Sequence, residues 1–392
     1  MIGRNDIHTA ARLFDAARLT LAREFRGFTK QELAERIGKT PSAVSQFESG
    51  RARPDGQTVG RLMLALGQPA SFFAKPPDAP PASVIPLDFC HFRSLRSATQ
   101  RSRRMLLAKG SLLCRLLAFL DQKVNLPEEQ VTELATTCRD IESIEILAMT
   151  VRRKWGLGLG PIGNMVNLLE RHGVVVVPID EDCHEVDAFS LWNGKRPCVF
   201  LVMEKGSPSR TRMDAAHELG HLVMHVDVAA GSPDLEKQAT HFGSAFLMPR
   251  DAFYHEAPRR LNWDHIWELK RRWKTSAAAI VRRAYDLGLF SEATYRRAFV
   301  HLSQMGFRTG EPHEPPPERP VAVKKALEVI AQRWPLTRIA DELGMNAADL
   351  YNLVEFTDPA ELPIEHDPPL RAGEGDGPLF EGLGTPSETE KQ

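Results

Sequence analysis

The chain has 392 residues, of which 42% are hydrophobic and 26% charged, and its formal net charge is −1 at pH 7. These values are typical of a globular protein with two or three domains, and they exclude a fibrous or wholly disordered chain. The balanced total charge gives no overall attraction to nucleic acid, although residues 1–80 are basic on balance and residues 357–392 are acidic.

The five cysteines are scattered, odd in number and free of any Cys-x-x-Cys pair. This pattern predicts reduced thiols in a cytoplasmic protein. No apolar run approaches the roughly twenty residues that a membrane-spanning helix needs, so no membrane partner is expected.

The first 60 residues predict a series of short helices. Residues 10–25 have the apolar spacing of an amphipathic helix. Thr29 and Glu32 form a capping box for a second helix, which ends at Gly38. Thr40 is a good N-cap for a third helix. Two short helices joined at a glycine are the pattern of a helix-turn-helix motif.

The exposed face of the third helix carries small polar side chains that can reach base edges in a major groove. Two arginines follow in the loop, where contacts with phosphates are natural. The alternative is a helical module that binds protein through a solvated polar face. The predicted DNA-contacting residues are Lys30, Thr40, Ser42, Ala43, Ser45, Gln46, Arg51 and Arg53.

Residues 31–34, 42–45 and 48–51, together with Arg53 and Pro54, resemble the Cro/C1-type (XRE) helix-turn-helix domain. The resemblance implies DNA binding through residues 10–73 and is consistent with a homodimer. Lys30 departs from that family, which often has a glutamine touching phosphate there, but a lysine can make the same contact as a point charge.

The middle of the chain predicts a helical connector followed by a small sheet. Residues 92–126 read as a basic helix over a leucine stripe, and a solvated helix face is favoured over a second nucleic-acid contact. Residues 173–179 predict a strand. A hairpin around Asn193 and Gly194 follows, and its residues 190–196 offer an edge to which an extended peptide could add as a strand.

Residues 217–221 read His-Glu-Leu-Gly-His within a run that is compatible with a helix. Positions i and i+4 share one helix face, so His217 and His221 can bind one Zn²⁺. Glu218 lies beside them as the general base that takes a proton from water. The alternative is an amphipathic helix with two incidental histidines.

A catalytic zinc site needs a third protein ligand. Glu236 begins a second predicted helix, beside a core-facing stripe of apolar residues, where a carboxylate requires a partner such as zinc. The alternative is a solvated glutamate in the first turn, stabilised by the helix dipole.

Residues 212–225, followed by Glu236, Ala239, Phe242 and residues 247–249, resemble the ImmA/IrrE family of bacterial metallopeptidases. The resemblance covers roughly residues 150–305 and implies that His217, His221 and Glu236 bind zinc while Glu218 is the base. Thr240 departs from the family, in which asparagine is more frequent at this position. The resemblance also implies a repressor-type protein substrate, in stress response or the control of mobile elements.

The predicted fold is mainly α with a small β-sheet. An all-α helix-turn-helix domain precedes an α+β, zincin-like metallopeptidase domain and a helical C-terminal segment. That segment contains a second helix–glycine–helix pattern at residues 336–353, which is a weak DNA reader because it is acidic. The predicted divisions are the helix-turn-helix domain (1–74), a proline-rich linker (75–90), a helical connector (91–150), the metallopeptidase domain (151–310), a second proline-rich linker (311–320), the helical segment (321–356) and a disordered acidic tail (357–392).

The leading functional prediction is a DNA-binding regulator with a zinc endopeptidase domain that cleaves a protein or peptide. One alternative is a transcription factor whose metal domain senses or scaffolds without proteolysis. Another is an antitoxin-like binding protein.

Overall fold

The computed structural model describes eight stretches of the chain. They are residues 6–74, 91–92, 99–138, 140–179, 187–203, 207–226, 232–307 and 310–353. The predicted linker at 75–90 and acidic tail at 357–392 lie outside them. The described residues are mostly helical with one small sheet, which confirms the predicted fold class. None of their helices combines the length and the apolar character that crossing a membrane requires.

Five helices build the N-terminal part of the structure. They are α1 (Ile7–Arg12), α2 (Ala16–Phe25), α3 (Lys30–Ile37), α4 (Pro41–Glu48) and α5 (Gly56–Leu66). The single helix predicted over 10–25 is wrong, because the chain breaks at Asp15. The Asp15 side chain caps α2 by accepting from the amide of Ala17, and the Asp15 amide donates to the carbonyl of Phe73.

The turn between α3 and α4 follows the local sequence signals. Both hydrogen bonds of the Thr29–Glu32 capping box are present. Gly38 ends α3 with a φ of 63°, a left-handed conformation that costs glycine little. Thr40 then caps α4. The two helices bury Ala34, Ile37, Val44 and Phe47 in the core that they share with α2 and α5.

A long helix, α6 (Gln100–Leu120), connects the two parts of the molecule and is capped by Thr99. It buries the predicted stripe of Leu106, Leu113, Leu117 and Leu120. Two of its half-exposed arginines face acidic residues of the N-terminal helices: Arg101 lies 3.4 Å from Glu32, and Arg104 lies 4.0 Å from Glu24. These contacts favour a packed, solvated helix face.

The second part of the molecule places helices against one sheet. Its first elements are α7 (Ile141–Lys154), α8 (Met165–Arg171), β2 (Val175–Ile179), β3 (Ala188–Asn193) and β4 (Arg196–Val202), with β1 (His91–Phe92) preceding them in the chain. The sheet order is β1-β3-β4-β2, with β2 parallel to β4 and the other pairs antiparallel. The predicted hairpin is therefore β3–β4, and Gly194 turns it with a φ of 60°.

Six further helices complete this part. They are α9 (Pro208–Met224), α10 (Pro233–Leu247), α11 (Arg250–Glu256), α12 (Trp263–Trp273), α13 (Ala277–Asp286) and α14 (Glu292–Gln304). Helix α9 packs on β3 and β4, and α10 packs between α9 and α7. Most of α9 is buried, including its polar residues, so the sheet and α10 enclose its functional side chains.

Residues 310–320, here called the strap, contain the predicted linker (311–320) and carry three anchored glutamates. Glu311 and Glu314 accept from the buried ammonium of Lys270, at 2.9 and 2.7 Å. Glu318 pairs with the buried guanidinium of Arg212 on α9 and accepts from the amide of Met165 at 2.7 Å. Pairing with these carboxylates offsets the cost of burying the two cations, Lys270 and Arg212.

The chain continues into α15 (Ala322–Ala331), α16 (Leu336–Leu343) and α17 (Ala347–Leu353). Helices α15 and α16 pack on α6. On α17, Asp349 is buried and pairs with Arg26 of the N-terminal helices. The second helix–glycine–helix pattern is thus a packing unit whose acidic residue faces protein.

Candidate metal centre and nucleic-acid interface

Two glycines let α9 and α10 cross closely enough to share a site. A Cβ at Gly243 of α10 would lie 3.0 Å from the backbone nitrogen of His217. A Cβ at Gly220 of α9 would lie 3.2 Å from the Cα of Ala239. Any larger residue at either position would push the helices apart. The first turn of α10, which carries Glu236, therefore lies over the two histidines of α9.

His217, His221 and Glu236 converge as a group. The two Nε2 atoms are 3.1 Å apart. The Nε2 of His217 is 3.2 Å from Oε2 of Glu236, and that of His221 is 3.4 Å from Oε1. One ligand atom from each residue fits within 4.8 Å of the others. The solvated glutamate considered above is not what the structure has, since the Glu236 side chain is only 23% exposed.

The electrostatics of the group suit a divalent cation. Burial lowers the pKa of His221 to about 3, against the opposing hydrogen bond with Glu236, so the imidazole is neutral. Burial would raise the pKa of Glu236, but hydrogen bonds with His217 and His221 outweigh it and keep the carboxylate ionised. Two imidazoles and one carboxylate, all directed at one point, are a donor set that fits Zn²⁺ with a position left for water or substrate.

Glu218 is fully buried on the same helix, and a serine orients it. The hydroxyl of Ser190, on β3, donates to Oε2 of Glu218 at 2.7 Å. Ser190 was expected within an exposed hairpin edge, but it is 1% exposed. The sequence does hold one signal for this contact, a single serine between Phe189 and Leu191. A polar residue in an apolar strand needs a buried hydrogen-bond partner.

The peptide-accepting edge proposed for residues 190–196 is partly occupied. His91 and Phe92 of β1 pair antiparallel with Ser190 and Phe189 of β3. The edge strand beyond β4 is β2.

His241 and Tyr254 lie on the helices that follow α9, and each has a partner away from the three converging ligands. His241 of α10 points to Glu145 of α7, at 2.9 Å, and Arg283 pairs with the same carboxylate. The hydroxyl of Tyr254 on α11 accepts from Arg259 at 3.1 Å. His241 is thus held in a structural ion cluster.

The predicted DNA-contacting residues lie together around α4. Ser42 and Gln46 are exposed, whereas Ala43 and Ser45 are half-buried. The exposed Thr40 uses its hydroxyl to cap α4. The remaining candidates are basic. Lys30 donates to Ser45 at 3.2 Å and lies 3.5 Å from Glu48. Arg51 is exposed, and Arg53 donates to the carbonyl of Arg12 at 3.2 Å.

The fold and the two sites define a helix-turn-helix protein that also carries a metallopeptidase-type domain. Residues 19–73 match the family model described as a helix-turn-helix. Residues 169–285 match the peptidase family model described as the IrrE N-terminal-like domain. Both domains are present in the order that the sequence predicted. The second match includes all of α9 and α10.

A short stretch of the chain is similar to individual curated proteins. Over 45 residues, 12% of this chain, it is 38% identical to endothelial differentiation-related factor 1 of Homo sapiens and to multiprotein-bridging factor 1 of Schizosaccharomyces pombe. It is 33% identical to the Danio rerio homolog of the former over the same length. The chain spans about 30% of the length of these relatives.

Proposed function

We propose that this chain is a DNA-binding regulator with a zinc-dependent endopeptidase centre at His217, His221 and Glu236. The observation that carries the proposal is the convergence of three ligand atoms beside a buried, oriented glutamate. When bound, Zn²⁺ supplies a Lewis acid that polarises a peptide carbonyl and lowers the pKa of water to about 7.

The side chains of this site have separate roles in ion binding, orientation and proton transfer. His217, His221 and Glu236 hold the ion. Ser190 fixes Oε2 of Glu218 at 2.7 Å, and we assign Oε1 of Glu218 to proton transfer. As general base, Glu218 takes the proton of the attacking water and then delivers it to the nitrogen of the leaving amine. His217, Glu218 and His221 are buried, and burial strengthens each of these electrostatic interactions.

We assign DNA binding to α3, α4 and the loop that follows them. In a helix-turn-helix the second helix enters the major groove and the first crosses the phosphate backbone. We assign base contacts to the exposed Ser42 and Gln46 of α4, and phosphate contacts to the exposed Lys30 and Arg51. Zn²⁺ and DNA are thus the ligands we propose, and the resemblance to ImmA/IrrE proteins supports a repressor-type protein as the substrate.

A second candidate function is a regulator whose metal domain senses an ion without proteolysis. The ion pair between Arg26 and Asp349 favours this second function. It joins the helix-turn-helix part to residues 310–353, and the same stretch contacts α9 through the ion pair of Glu318 with Arg212. In that case metal binding would change DNA affinity with no cleavage.

One experiment separates the two candidates. Wild type and Glu218→Gln are incubated with helix-turn-helix repressors and Zn²⁺, and fragments are sought by mass spectrometry. The peptidase proposal predicts fragments from wild type alone. Fragments from both proteins would exclude Glu218 as the base. No fragments from either, together with DNA binding that depends on Zn²⁺, would favour the sensor.

A further inference from the structure

Each histidine of the proposed metal centre is held at its second ring nitrogen by a neighbour outside the His-Glu-x-x-His motif. Nδ1 of His221 lies 3.0 Å from Nδ1 of His225, whose Nε2 lies 2.9 Å from Oε1 of Gln238. Nδ1 of His217 lies 3.2 Å from the hydroxyl of Thr240. Helix α10 supplies both outer partners, Gln238 and Thr240, one on either side of Ala239.

With neutral imidazoles, the hydrogen bonds that link Gln238, His225 and His221 can run in only one direction. Oε1 of Gln238 can only accept, so Nε2 of His225 donates to it. A neutral imidazole has one donor and one acceptor nitrogen, so a His225 ring that donates from Nε2 accepts at Nδ1. Nδ1 of His221 must then carry the proton and donate to His225. The lone pair of His221 is left on Nε2, the atom that faces His217 and Glu236.

Thr240 imposes the same arrangement on His217. Its hydroxyl proton is donated to the carbonyl oxygen of Glu236, at 2.8 Å. A hydroxyl has a single proton, so towards His217 the oxygen can only accept. Nδ1 of His217 therefore donates to Thr240, and its lone pair also lies on Nε2. The same residue anchors the backbone of Glu236, the third ligand.

We infer that Gln238, His225 and Thr240 are positioning residues that fix both imidazoles with Nε2 free of a proton and directed at the ion. This rests on the proposed function, because it assumes that the ion binds at His217, His221 and Glu236. Metal ligands of this kind gain basicity and a fixed ring orientation from such partners, and losing one costs about 10–100-fold in metal affinity.

The direction of the hydrogen bonds makes the role testable with matched substitutions. Gln238→Leu keeps approximate size and removes the acceptor, whereas Gln238→Glu keeps an acceptor at the same position. Thr240→Val removes the hydroxyl and Thr240→Ser retains it. Gln130→Leu is the control, since Oε1 of Gln130 lies 2.7 Å from Nδ1 of His172 in another His–Gln pair.

The readout is the dissociation constant for Zn²⁺, measured on the full chain by competition with a chelator, alongside thermal unfolding of the metal-free proteins. We expect Gln238→Leu and Thr240→Val to bind Zn²⁺ about 10–100-fold more weakly. Gln238→Glu, Thr240→Ser and Gln130→Leu should stay within about threefold of wild type.

Equal Zn²⁺ affinity in Gln238→Leu, Thr240→Val and wild type would overturn the positioning role and leave the proposed metal centre intact. Equal weakening in Gln238→Leu and Gln238→Glu would also overturn it, since only packing would then matter. If wild type itself binds no Zn²⁺ in the micromolar range, the metal centre fails and the positioning role fails with it.

Discussion

Arg26 and Asp349 lie 323 positions apart in the chain and meet through two parallel hydrogen bonds, Nη1 to Oδ1 at 2.8 Å and Nη2 to Oδ2 at 2.7 Å. The side-chain amide of Gln68 donates to the same carboxylate. The Asp349 side chain is 4% exposed and that of Arg26 is 28% exposed. The last described helix is therefore fastened to the helix-turn-helix part by a bidentate ion pair.

Replacing Asp349 with alanine should release α17 from this contact. The loss of the bidentate ion pair and of the hydrogen bond from Gln68 predicts about 2 kcal/mol or more of destabilisation, measured by urea unfolding. Limited proteolysis should cut residues 336–353 faster as well. Glu342→Ala on neighbouring α16 is the control, because Glu342 is exposed. Similar stability for the two variants would mean that the ion pair does not hold the segment.

Removing Glu318 should destabilise the molecule more strongly. Glu318→Ala leaves the guanidinium of Arg212, whose side chain is 1% exposed, without its carboxylate. Breaking a buried pair by removing one partner costs about 3–5 kcal/mol. The double variant Arg212→Leu with Glu318→Ala should recover part of that loss. If the single variant unfolds at the same urea concentration as wild type, the strap is not anchored as the structure has it.

Glu145 predicts a specific acid sensitivity. Burial would raise its pKa, but Arg283 and His241 outweigh burial and lower the pKa to about 2, from an ordinary value of 4.5. A carboxyl group with a lowered folded-state pKa contributes stability above its unfolded pKa and loses it as pH falls towards the folded one. We therefore expect a contribution that is complete above about pH 5 and declines between pH 4.5 and 2.

The comparison of wild type with Glu145→Gln isolates that contribution. The variant should be less stable at pH 7, and the stability difference between the two proteins should shrink as the solution is acidified through this window. A difference that stays constant from pH 7 to pH 3 would argue against the ion cluster of Glu145, His241 and Arg283.

Adding one methyl group between α9 and α10 should lower the stability of the protein. Gly243→Ala would place its Cβ 3.0 Å from the backbone nitrogen of His217, a clash with backbone that cannot rotate away. Overpacking of this kind costs about 1–3 kcal/mol, and here it should also weaken Zn²⁺ binding by shifting Glu236. Gly158→Ala is the control, since nothing lies within 4 Å of its added Cβ.

The sequence predicted most of what depends on local spacing. The i,i+4 relation brings His217 and His221 together on α9, and the capping box and Gly38 mark the ends of α3. What the sequence did not predict depends on contacts between distant segments. Ser190 reaches Glu218 only because of how β3 packs on α9, and no local pattern encodes that packing.

Two sequence patterns, one of composition and one of apolar spacing, did not indicate the structure that forms, and each has a physical reason. The strap is rich in proline, which usually indicates a solvated linker, but its glutamates compensate the buried charges of Lys270 and Arg212. The apolar spacing over residues 10–25 continues through a break at Asp15, because a capping aspartate can interrupt a helix without disturbing the apolar stripe.

The most direct test of the central claim is the zinc content of the purified full-length chain, measured by elemental analysis for wild type, His217→Ala and Glu218→Gln. We expect one Zn²⁺ per chain in wild type and in Glu218→Gln, and little or none in His217→Ala. Wild type without zinc even after incubation with the ion, or His217→Ala with the same content as wild type, would contradict it.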